Sequence, residues 1–474
     1  MDPRVNRLLL STALLGTFFS GTATRLVSIS MPTIASSLGT DLMGISWALL
    51  SYQLSNIGLS IIFGRLADLW GRERIFGLGF LVISASSLLC GMSQNLAQLV
   101  VFRFVQGIGG AMLQSSSRAL AAEAVPEELA GRAQGYMTTG HHLGFLLGPG
   151  IAGLMIDMLS WRWVFFFLIP LGIAGAFLTW ISAGRATASR QRRHAAIDYA
   201  GAALLIATTS TVILLLDRRT MQAAGGEARI ALALLFAGLL CALIFHESRA
   251  KSPFVDLTLF RLRTFSLSVA SLLVIAICYT LTGFLLPFYL QEILGLAPTT
   301  VGLLFMAPSA LTVALAPVSG MMTDRFGPRF PSTLGVTIMF VALLTGTLLR
   351  TDSGWPLPVL LIVLMAVTNG IFNPANSMAM IGLMPKEHRG FASAINHVTF
   401  GFGNLTGVAL GSFLMAAAFE YHTGVAGAVP TTSEPSGFVA ALNTTFFAAS
   451  AVCIVALFTS AFRGGGKPAR GGEG

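Results

Sequence analysis

Arg25 lies within a run of apolar and small residues that is long enough to cross a bilayer. A guanidinium in hydrocarbon is costly unless it faces the protein interior or water, so the residue marks a candidate functional site. On a helix, Arg25 shares one polar or small face with Thr17, Gly21, Ser28 and Pro32. We expect Arg25 to point into an interior pathway, where it would attract anions and repel cations. The alternative, a side chain that extends to the headgroups at a membrane surface, stays open.

Similar polar faces recur on four other apolar segments. Amides at helical spacing do not suit a surface in contact with lipid, so we expect these faces to converge on one pathway. The predicted substrate-binding residues are Arg25, Ser28, Gln53, Asn56, Gln114, His141, Asn373, Asn376, His397 and Asn404.

Histidines are the candidates for proton binding, because no Asp or Glu lies near the middle of any apolar segment. Histidine is the one side chain whose unperturbed charge change falls near neutral pH. His141, His142 and His397 are therefore predicted to bind protons, with a purely structural, hydrogen-bonded histidine as the alternative at each position.

The composition requires a membrane-spanning, all-α fold. Apolar residues make up 54% of the 474 residues and charged residues only 10%, whereas about a quarter of a soluble domain is charged. Segments of about 20 apolar residues each span the hydrocarbon. Fourteen are predicted: 8–31, 44–63, 75–94, 96–120, 132–156, 162–182, 199–216, 229–246, 264–289, 299–319, 332–350, 357–380, 391–416 and 437–462.

The distribution of positive charge predicts the orientation. An even number of spans puts both termini on one side, and assigning that side to the cytoplasm places 21 of the 29 Lys and Arg there. We expect a multi-pass protein of a bacterial inner membrane. Its net charge of +9 follows from this topology, so no nucleic-acid partner is expected.

The sequence contains no pattern typical of an enzyme. It has no paired carboxylates, no cluster of metal ligands and no nucleophile–base set, and the GxxxxGK[ST] loop that binds ATP phosphates is absent. We therefore predict no catalytic residue, no metal and no cofactor.

An internal repeat predicts the architecture. GRLADLWGRER follows the second span and GMMTDRFGPR follows the tenth, at a constant offset of 256 residues. Parallel six-helix repeats are found in major facilitator transporters, so the spans divide as 6 + 2 + 6. The predicted units are residues 1–183, 184–263, 264–462 and the tail 463–474. The repeated loop is a candidate conformational latch, with a merely solvated loop as the alternative, and comprises Gly64, Asp68, Gly71, Arg72, Gly320, Asp324 and Gly327.

From Pro32 to Phe462 the chain resembles the fourteen-span drug:proton antiporter branch of the major facilitator superfamily, the EmrB/QacA type. The matching segments are RFVQGIGGA, GFLLGPGIAG, WRWVFFFLIPLG and PFVDLTLFRLRTF. The resemblance implies a link between Arg103 and proton coupling. It also implies that the helix-kink motif is that of an exporter associated with multidrug resistance; this motif consists of Gly144, Gly148, Pro149, Gly150 and Gly153.

The first span departs from this family. Its usual pattern is L-D-x-T-I-V-N-V-A-L-P, and here Ala23 stands for the aspartate and Arg25 for the threonine. We expect a monomeric secondary-active exporter of an amphipathic molecule with an anionic or zwitterionic head, surrounded by membrane lipids, with proton coupling left open. A lipid or lysolipid translocator and an uncoupled facilitator of anionic substrates are alternatives. A non-transporting sensor is the least favoured.

Overall fold

The computed structural model describes residues 6–126, 129–183, 199–249, 257–382, 384, 389–425 and 427–463. In these ranges every regular element is helical and no β-strand occurs. The helices are α1 Arg7–Ser37, α2 Leu42–Trp70, α3 Arg72–Met92, α4 Leu96–Glu123, α5 Ala130–Met158, α6 Trp161–Phe166, α7 Leu168–Ala183, α8 Tyr199–Leu216, α9 Arg218–Arg249, α10 Arg263–Phe288, α11 Pro298–Phe326, α12 Arg329–Gly346, α13 Pro356–Ser377, α14 Arg389–Thr423 and α15 Pro435–Ala461. Short π-helical turns follow α10 (Tyr289–Ile293) and α13 (Met378–Gly382).

Polar side chains begin several of these helices. Asn6, Asp41 and Asn95 each accept a hydrogen bond from a backbone N–H in the first turn of the helix that follows. Such caps satisfy donors that have no partner inside the helix. All three lie just outside the predicted apolar segments.

Fewer helices than the fourteen predicted spans are both long enough and apolar enough to cross a membrane within the described residues. Ten helical segments of the described chain are long and apolar enough to cross a bilayer, or eleven if the bent pair Leu42–Ser60 and Ile62–Trp70 is one span. Helices α6 and α7 together form one of these segments, Trp161–Ser182. Helices α1 and α5 are long but carry the arginine, histidine and glycine positions that lower their hydropathy. The fourteen-span 6 + 2 + 6 arrangement therefore stays a prediction.

The chain divides into two compact units. Unit 1 contains residues 1–211, 238–243 and 296–306, and unit 2 contains residues 212–237, 244–295 and 307–474. In unit 1, α1 packs on α5 and α4 packs between α2 and α3; in unit 2, α10 packs on α14 and α12 on α13. The predicted division at residues 183 and 263 stays a prediction, because parts of 184–263, and the tail from 464, lie outside the described residues.

The two helices between the repeats have few neighbours. Ile206 of α8 packs against Gly58 of α2 within unit 1. The most apolar stretch of α9 contains no buried residue, which is the pattern expected for a helix surrounded by lipid. Near the start of α9, Arg218 forms an ion pair with Glu420 of α14 within unit 2.

Candidate functional site

Glycines bring α1 and α5 into close contact. A Cβ atom at Gly144 would lie 2.8 Å from the backbone nitrogen of Thr22, and one at Gly148 would lie 3.0 Å from Cβ of Arg25. Small residues permit this approach of two backbones, as they do in membrane helix pairs generally. The glycines of the predicted kink motif therefore place Arg25 directly against α5.

Arg25 stacks on an aromatic ring that the sequence patterns did not single out. Its Cζ lies 3.9 Å from the ring centroid of Phe145, close enough for a cation–π interaction. The Phe145 ring lies 5.9 Å from that of His141, tilted by 33°, and His141 lies 6.0 Å from His142. All four side chains are half-buried. The structure thus joins three predicted residues, Arg25, His141 and His142, into one array in which Phe145 stacks on the guanidinium. The only sequence feature that could have pointed to Phe145 is its position three residues before Gly148 of the kink motif.

A second cation of the same unit, Arg103, is fully buried and has only neutral hydrogen-bond partners. Its Nε donates to the carbonyl oxygen of Ala48 at 3.0 Å, and its Nη1 donates to Oε1 of Gln106. Gln106 in turn donates to Oγ of Ser87 at 2.6 Å. The guanidinium also lies over the ring of Tyr52, 4.2 Å from its centroid. Arg103 is held in a closed network that leaves it fully buried.

The polar faces of α2 and α4 meet at a glycine. A Cβ atom at Gly110 would lie 2.9 Å from the hydroxyl of Tyr52 and 2.5 Å from Nδ2 of Asn56. Asn56 is buried in this contact, whereas Gln53 and Gln114 are half-buried. Ser28 is half-buried on α1 and donates to the carbonyl of Arg25 at 3.0 Å.

The amides of unit 2 form separate pairs. Asn373 donates to Asn369 one turn away, and the hydroxyl of Thr280 on α10 donates to Oδ1 of Asn404 at 2.7 Å. His397 is half-buried on α14. Asn404 and His397 therefore lie on the same helix, and Asn404 is hydrogen-bonded to α10 through Thr280.

Asn376 has a different environment from the other predicted substrate-binding residues. It is buried, its Oδ1 accepts from Nη1 of Arg463 at 2.8 Å, and its Nδ2 donates to the carbonyl of Ser268 at 3.2 Å. Arg463 also donates to the hydroxyls of Ser268 and Ser460. Both groups of the Asn376 amide are thus engaged within the protein. Burial lowers the pKa of Arg463 to about 10.

The first copy of the repeated loop forms an ion-pair network. Arg72 donates to Oδ1 of Asp68 from Nε at 3.0 Å and from Nη2 at 2.8 Å, and its Nη1 lies 2.6 Å from Oε1 of Glu123. Glu123, at the end of α4, was not predicted from the sequence, although it is the nearest acidic residue beyond the fourth span. Gly71 has φ of 103° at the turn between α2 and α3, a conformation that glycine adopts at no steric cost.

The second copy shares the turn but differs in its contacts. Gly327 has φ of 76°, and both turn glycines donate to a carbonyl four residues earlier. Asp324 is exposed, and in the described part of the chain no cation pairs with it. A Cβ atom at Gly320 would have open space around it to 4 Å, whereas one at Gly64 would approach Ser115 of α4. The two copies therefore share the backbone conformation of the glycine turn, but only the first copy forms ion pairs within the described residues.

The end of α5 contacts the first turns of α11 within unit 1. A Cβ atom at Gly302 would lie 2.9 Å from the carbonyl carbon of Pro149, and one at Gly153 would lie 2.6 Å from Cα of Thr299. Asp157 closes this contact, because its Oδ2 accepts from the backbone N–H of Thr299 at 2.8 Å. A carboxylate at a helix N-terminus satisfies a free donor and interacts favourably with the helix dipole. Residues 149–157 and 298–302 form what we call the α5–α11 seam.

No cluster of three metal-ligating side chains occurs among the residues that the structure describes. The polar side chains of these contacts carry guanidinium, carboxylate, amide, hydroxyl and imidazole groups, which bind and orient ligands by hydrogen bonds and charge.

The family model of the Major Facilitator Superfamily matches residues 13–285 and 267–470. The chain belongs to this superfamily. It is a membrane transporter by family, as are its relatives.

Three relatives are similar over most of their length. The riboflavin transporter RibZ of Clostridioides difficile is 26% identical over 455 residues, which cover 94% of this chain and 95% of RibZ. The multidrug resistance protein Stp of Mycobacterium tuberculosis (strain CDC 1551 / Oshkosh) is 29% identical, with 86% and 76% covered. The putative multidrug resistance protein MdtD of Salmonella paratyphi A is 27% identical, with 86% of each covered.

Among solved structures, a bacterial homolog of the human lysosomal transporter Spinster, in an inward-facing and unoccupied conformation, superposes with a TM-score of 0.70. The two chains are 15% identical, and 98% of this chain and 97% of the other are covered. This similarity supports the fold alone.

Proposed function

We propose that this transporter is a secondary-active exporter of amphipathic small molecules that carry an anionic or zwitterionic group. The observation that carries the proposal is the stacking of Arg25 on Phe145, 3.9 Å from Cζ to the ring centroid. The ring fixes the plane of the guanidinium, which pairs most strongly with carboxylate or phosphate oxygens. The apolar body of the substrate would pack against aromatic side chains such as Phe145.

The transport cycle we propose is alternating access between the two six-helix repeats, with both termini in the cytoplasm. The α5–α11 seam is its candidate closing contact, and the Arg72 network, which joins α2, α3 and α4 within the first repeat, is its candidate conformational latch. Each joins helices through groups that can separate. The exporter direction rests on the kink motif and on relatives named as multidrug resistance proteins. The fourteen-span arrangement with two inserted helices is part of this proposal.

A planar heteroaromatic substrate is a second candidate. The Phe145 and His141 rings form a nearly continuous aromatic surface beside Arg25, and aromatic rings stack favourably on such surfaces. RibZ, which is similar along nearly the whole chain, is named a riboflavin transporter. A flavin would place its ring on this surface and its carbonyl groups toward the guanidinium.

Ligand binding to purified protein tests both candidates. We would measure the shift in thermal unfolding caused by a planar anionic dye, by riboflavin and by a cationic dye, since a ligand that binds the folded state raises its apparent stability. We expect the anionic dye or riboflavin to raise the unfolding temperature and the cationic dye to have no effect. Arg25→Ala should abolish the shift, and Arg25→Lys should be intermediate because lysine lacks the planar fork.

Arg162→Ala is the matched control, because Arg162 also stacks on an aromatic ring, that of Trp161, at 4.4 Å. Its replacement should leave the ligand-induced shift unchanged. If cationic dyes bind and Arg25→Ala leaves their binding intact, Arg25 has no part in substrate recognition and the proposal is wrong.

A further inference from the structure

A cavity of about 520 Å³ lies where α12 ends and α13 begins. It is formed by the connection between these helices and by Asn443 of α15, and all of these residues belong to unit 2. Its lining includes none of the residues predicted to bind substrate. Cavities of roughly 300–1,000 Å³ are typical of sites that hold small ligands.

Hydrogen bonds fix the walls of this cavity. Nδ2 of Asn443 donates to the carbonyl of Leu349 at 2.9 Å, and the hydroxyl of Tyr289 donates to the carbonyl of Arg350 at 2.7 Å. The backbone N–H of Arg350 donates to Oγ of Ser353 at 2.8 Å. Three different side chains thus hold residues 349 and 350 of the connection in place.

Two polar groups of the cavity are left for a ligand. Oδ1 of Asn443 is buried and has no hydrogen-bond partner within the described residues, a state that costs free energy until a donor is supplied. The Arg350 side chain is exposed, and no described carboxylate forms an ion pair with it. A ligand that combines an anionic oxygen with a nearby N–H or O–H donor would satisfy both groups.

The location of the cavity at the level of the lipid headgroups indicates that its ligand is a lipid. Helices α12 and α13 are both apolar enough to span the membrane, so the connection between them lies at the depth of the headgroups. Leu348 and Trp355 in this connection are 63% and 55% exposed, and tryptophan is enriched at this depth. We propose that the cavity binds the headgroup of a phospholipid, with the phosphodiester at Arg350 and the ammonium or hydroxyl donor at Oδ1 of Asn443.

Native mass spectrometry of the full-length protein in detergent tests this proposal. Phosphatidylethanolamine, phosphatidylglycerol and phosphatidylcholine with identical acyl chains are added separately, and the retained lipid is counted. We expect the first two to bind at least about tenfold more tightly than phosphatidylcholine, whose headgroup has no donor. Glycerophosphoethanolamine has the same headgroup without acyl chains, and it should compete only at much higher concentration. Equal affinity of this soluble compound would show that the ligand is not a lipid.

Two variants separate the roles of the two polar groups. Arg350→Gln should weaken both lipids about tenfold or more, whereas Arg325→Gln, at an exposed arginine of α11 outside the cavity, should have no effect. Asn443→Asp should strengthen phosphatidylethanolamine and weaken phosphatidylglycerol, an opposite pair of changes that misfolding cannot produce. Equal retention of all three lipids, or an unchanged Arg350→Gln variant, would overturn the proposal.

Discussion

At the residue scale, Arg103 shows how a fully buried cation can be held without a carboxylate. Its planar fork reaches Ala48 and Gln106 in different directions while its face covers Tyr52. Lysine would keep the charge but could not make these contacts together. We expect Arg103→Lys to lower the free energy of unfolding by about 1–3 kcal/mol, because buried partners would be left unsatisfied.

Thermal unfolding of purified protein checks this expectation, with Arg325→Lys as the control at an exposed arginine. The control should unfold like the unmodified protein. An Arg103→Lys variant of unchanged stability would show that the charge alone, and not the fork, holds the network.

Asn376 is predicted to bind substrate, whereas in the structure its amide contacts Arg463 and Ser268. At neutral pH Arg463 is protonated in the folded and unfolded states alike, because its pKa falls only to about 10. The cost of burying this charge is therefore fully present at neutral pH and would lessen only as pH rises above about 10. Asn376 offsets part of that cost by accepting from Nη1.

We therefore expect Asn376→Leu to destabilise the protein by about 1–3 kcal/mol, since it leaves a buried cation short of an acceptor. Asn373→Leu is the matched variant on the same helix, and it should cost less because its hydrogen bond is to the half-buried Asn369. Unfolding temperatures of the two variants give the comparison. If Asn376→Leu is the more stable of the two, the Arg463 network has no structural importance.

The sequence predicted the polar residues of the site better than their partners. Arg25, His141 and His142 were identified because a titratable group in an apolar segment is expensive and therefore noticeable. Phe145 was missed because phenylalanine is ordinary in such a segment, and only the glycine contacts of α1 and α5 bring it under Arg25. Arg463 was missed as a network residue because its burial depends on α10, α13 and α15 together.

At the element scale, the α5–α11 seam depends on glycine at positions where backbone meets backbone. Gly302→Ala would place a Cβ 2.9 Å from the carbonyl carbon of Pro149, a contact that backbone atoms cannot easily relieve. We expect this change to open the seam and to speed maleimide labelling of a cysteine at position 299, in a background where the exposed Cys241 is replaced by serine.

Gly238→Ala on α9 is the control, because the added methyl group would meet no atom within 4 Å. Labelling should be unchanged in this variant. Asp157→Asn should raise the labelling rate less than Gly302→Ala, since it weakens one hydrogen bond and removes no close contact. Labelling of position 299 that is already fast in the unmodified protein would contradict a closed seam.

The second copy of the repeated loop serves as a control for the first, because the same substitution can be made at Asp68 and at Asp324. Asp68→Asn removes half of the Arg72 network, whereas the corresponding Asp324→Asn removes no described ion pair. The Asp68–Arg72 pair is about one-third exposed, so screening limits its contribution to roughly 0.3–1 kcal/mol. We expect Asp68→Asn to raise the labelling of a cysteine at the buried position Ala67 about two- to fivefold.

Asp324→Asn, with a cysteine at the same position 67, should label like the unmodified protein. Equal effects of the two changes would mean that the loops act through net charge rather than through the network around Arg72.

Much of the element pattern followed from the sequence because the length of an apolar segment is a local property. The break between α6 and α7 at Phe167 did not, since WRWVFFFLIPLG is apolar throughout after its arginine. The packing of the first turns of α11 with unit 1 also could not be predicted, because it depends on contacts between residues about 150 positions apart.

At the scale of the whole molecule, a transporter driven by a proton gradient needs a group that changes protonation during the cycle. No Asp or Glu lies near the middle of any predicted span, which leaves His141, His142 and His397 as the candidates. His141 and His142 lie in the same array as Arg25, so substrate and proton would compete through charge in one place.

We expect substrate-driven proton movement in liposomes to fall at least about tenfold when all three histidines are replaced by glutamine, because no other predicted site residue has a side chain whose unperturbed charge change falls near neutral pH. The matched control is His422→Gln, since His422 is exposed at the end of α14, where its Nε2 shares a hydrogen bond with the hydroxyl of Thr444. Coupling that survives the triple replacement would transfer the role to a carboxylate, with Asp157 in the α5–α11 seam as the first candidate because opening that seam would release its hydrogen bond to Thr299. Absence of coupling in the unmodified protein, with transport intact, would identify a facilitator.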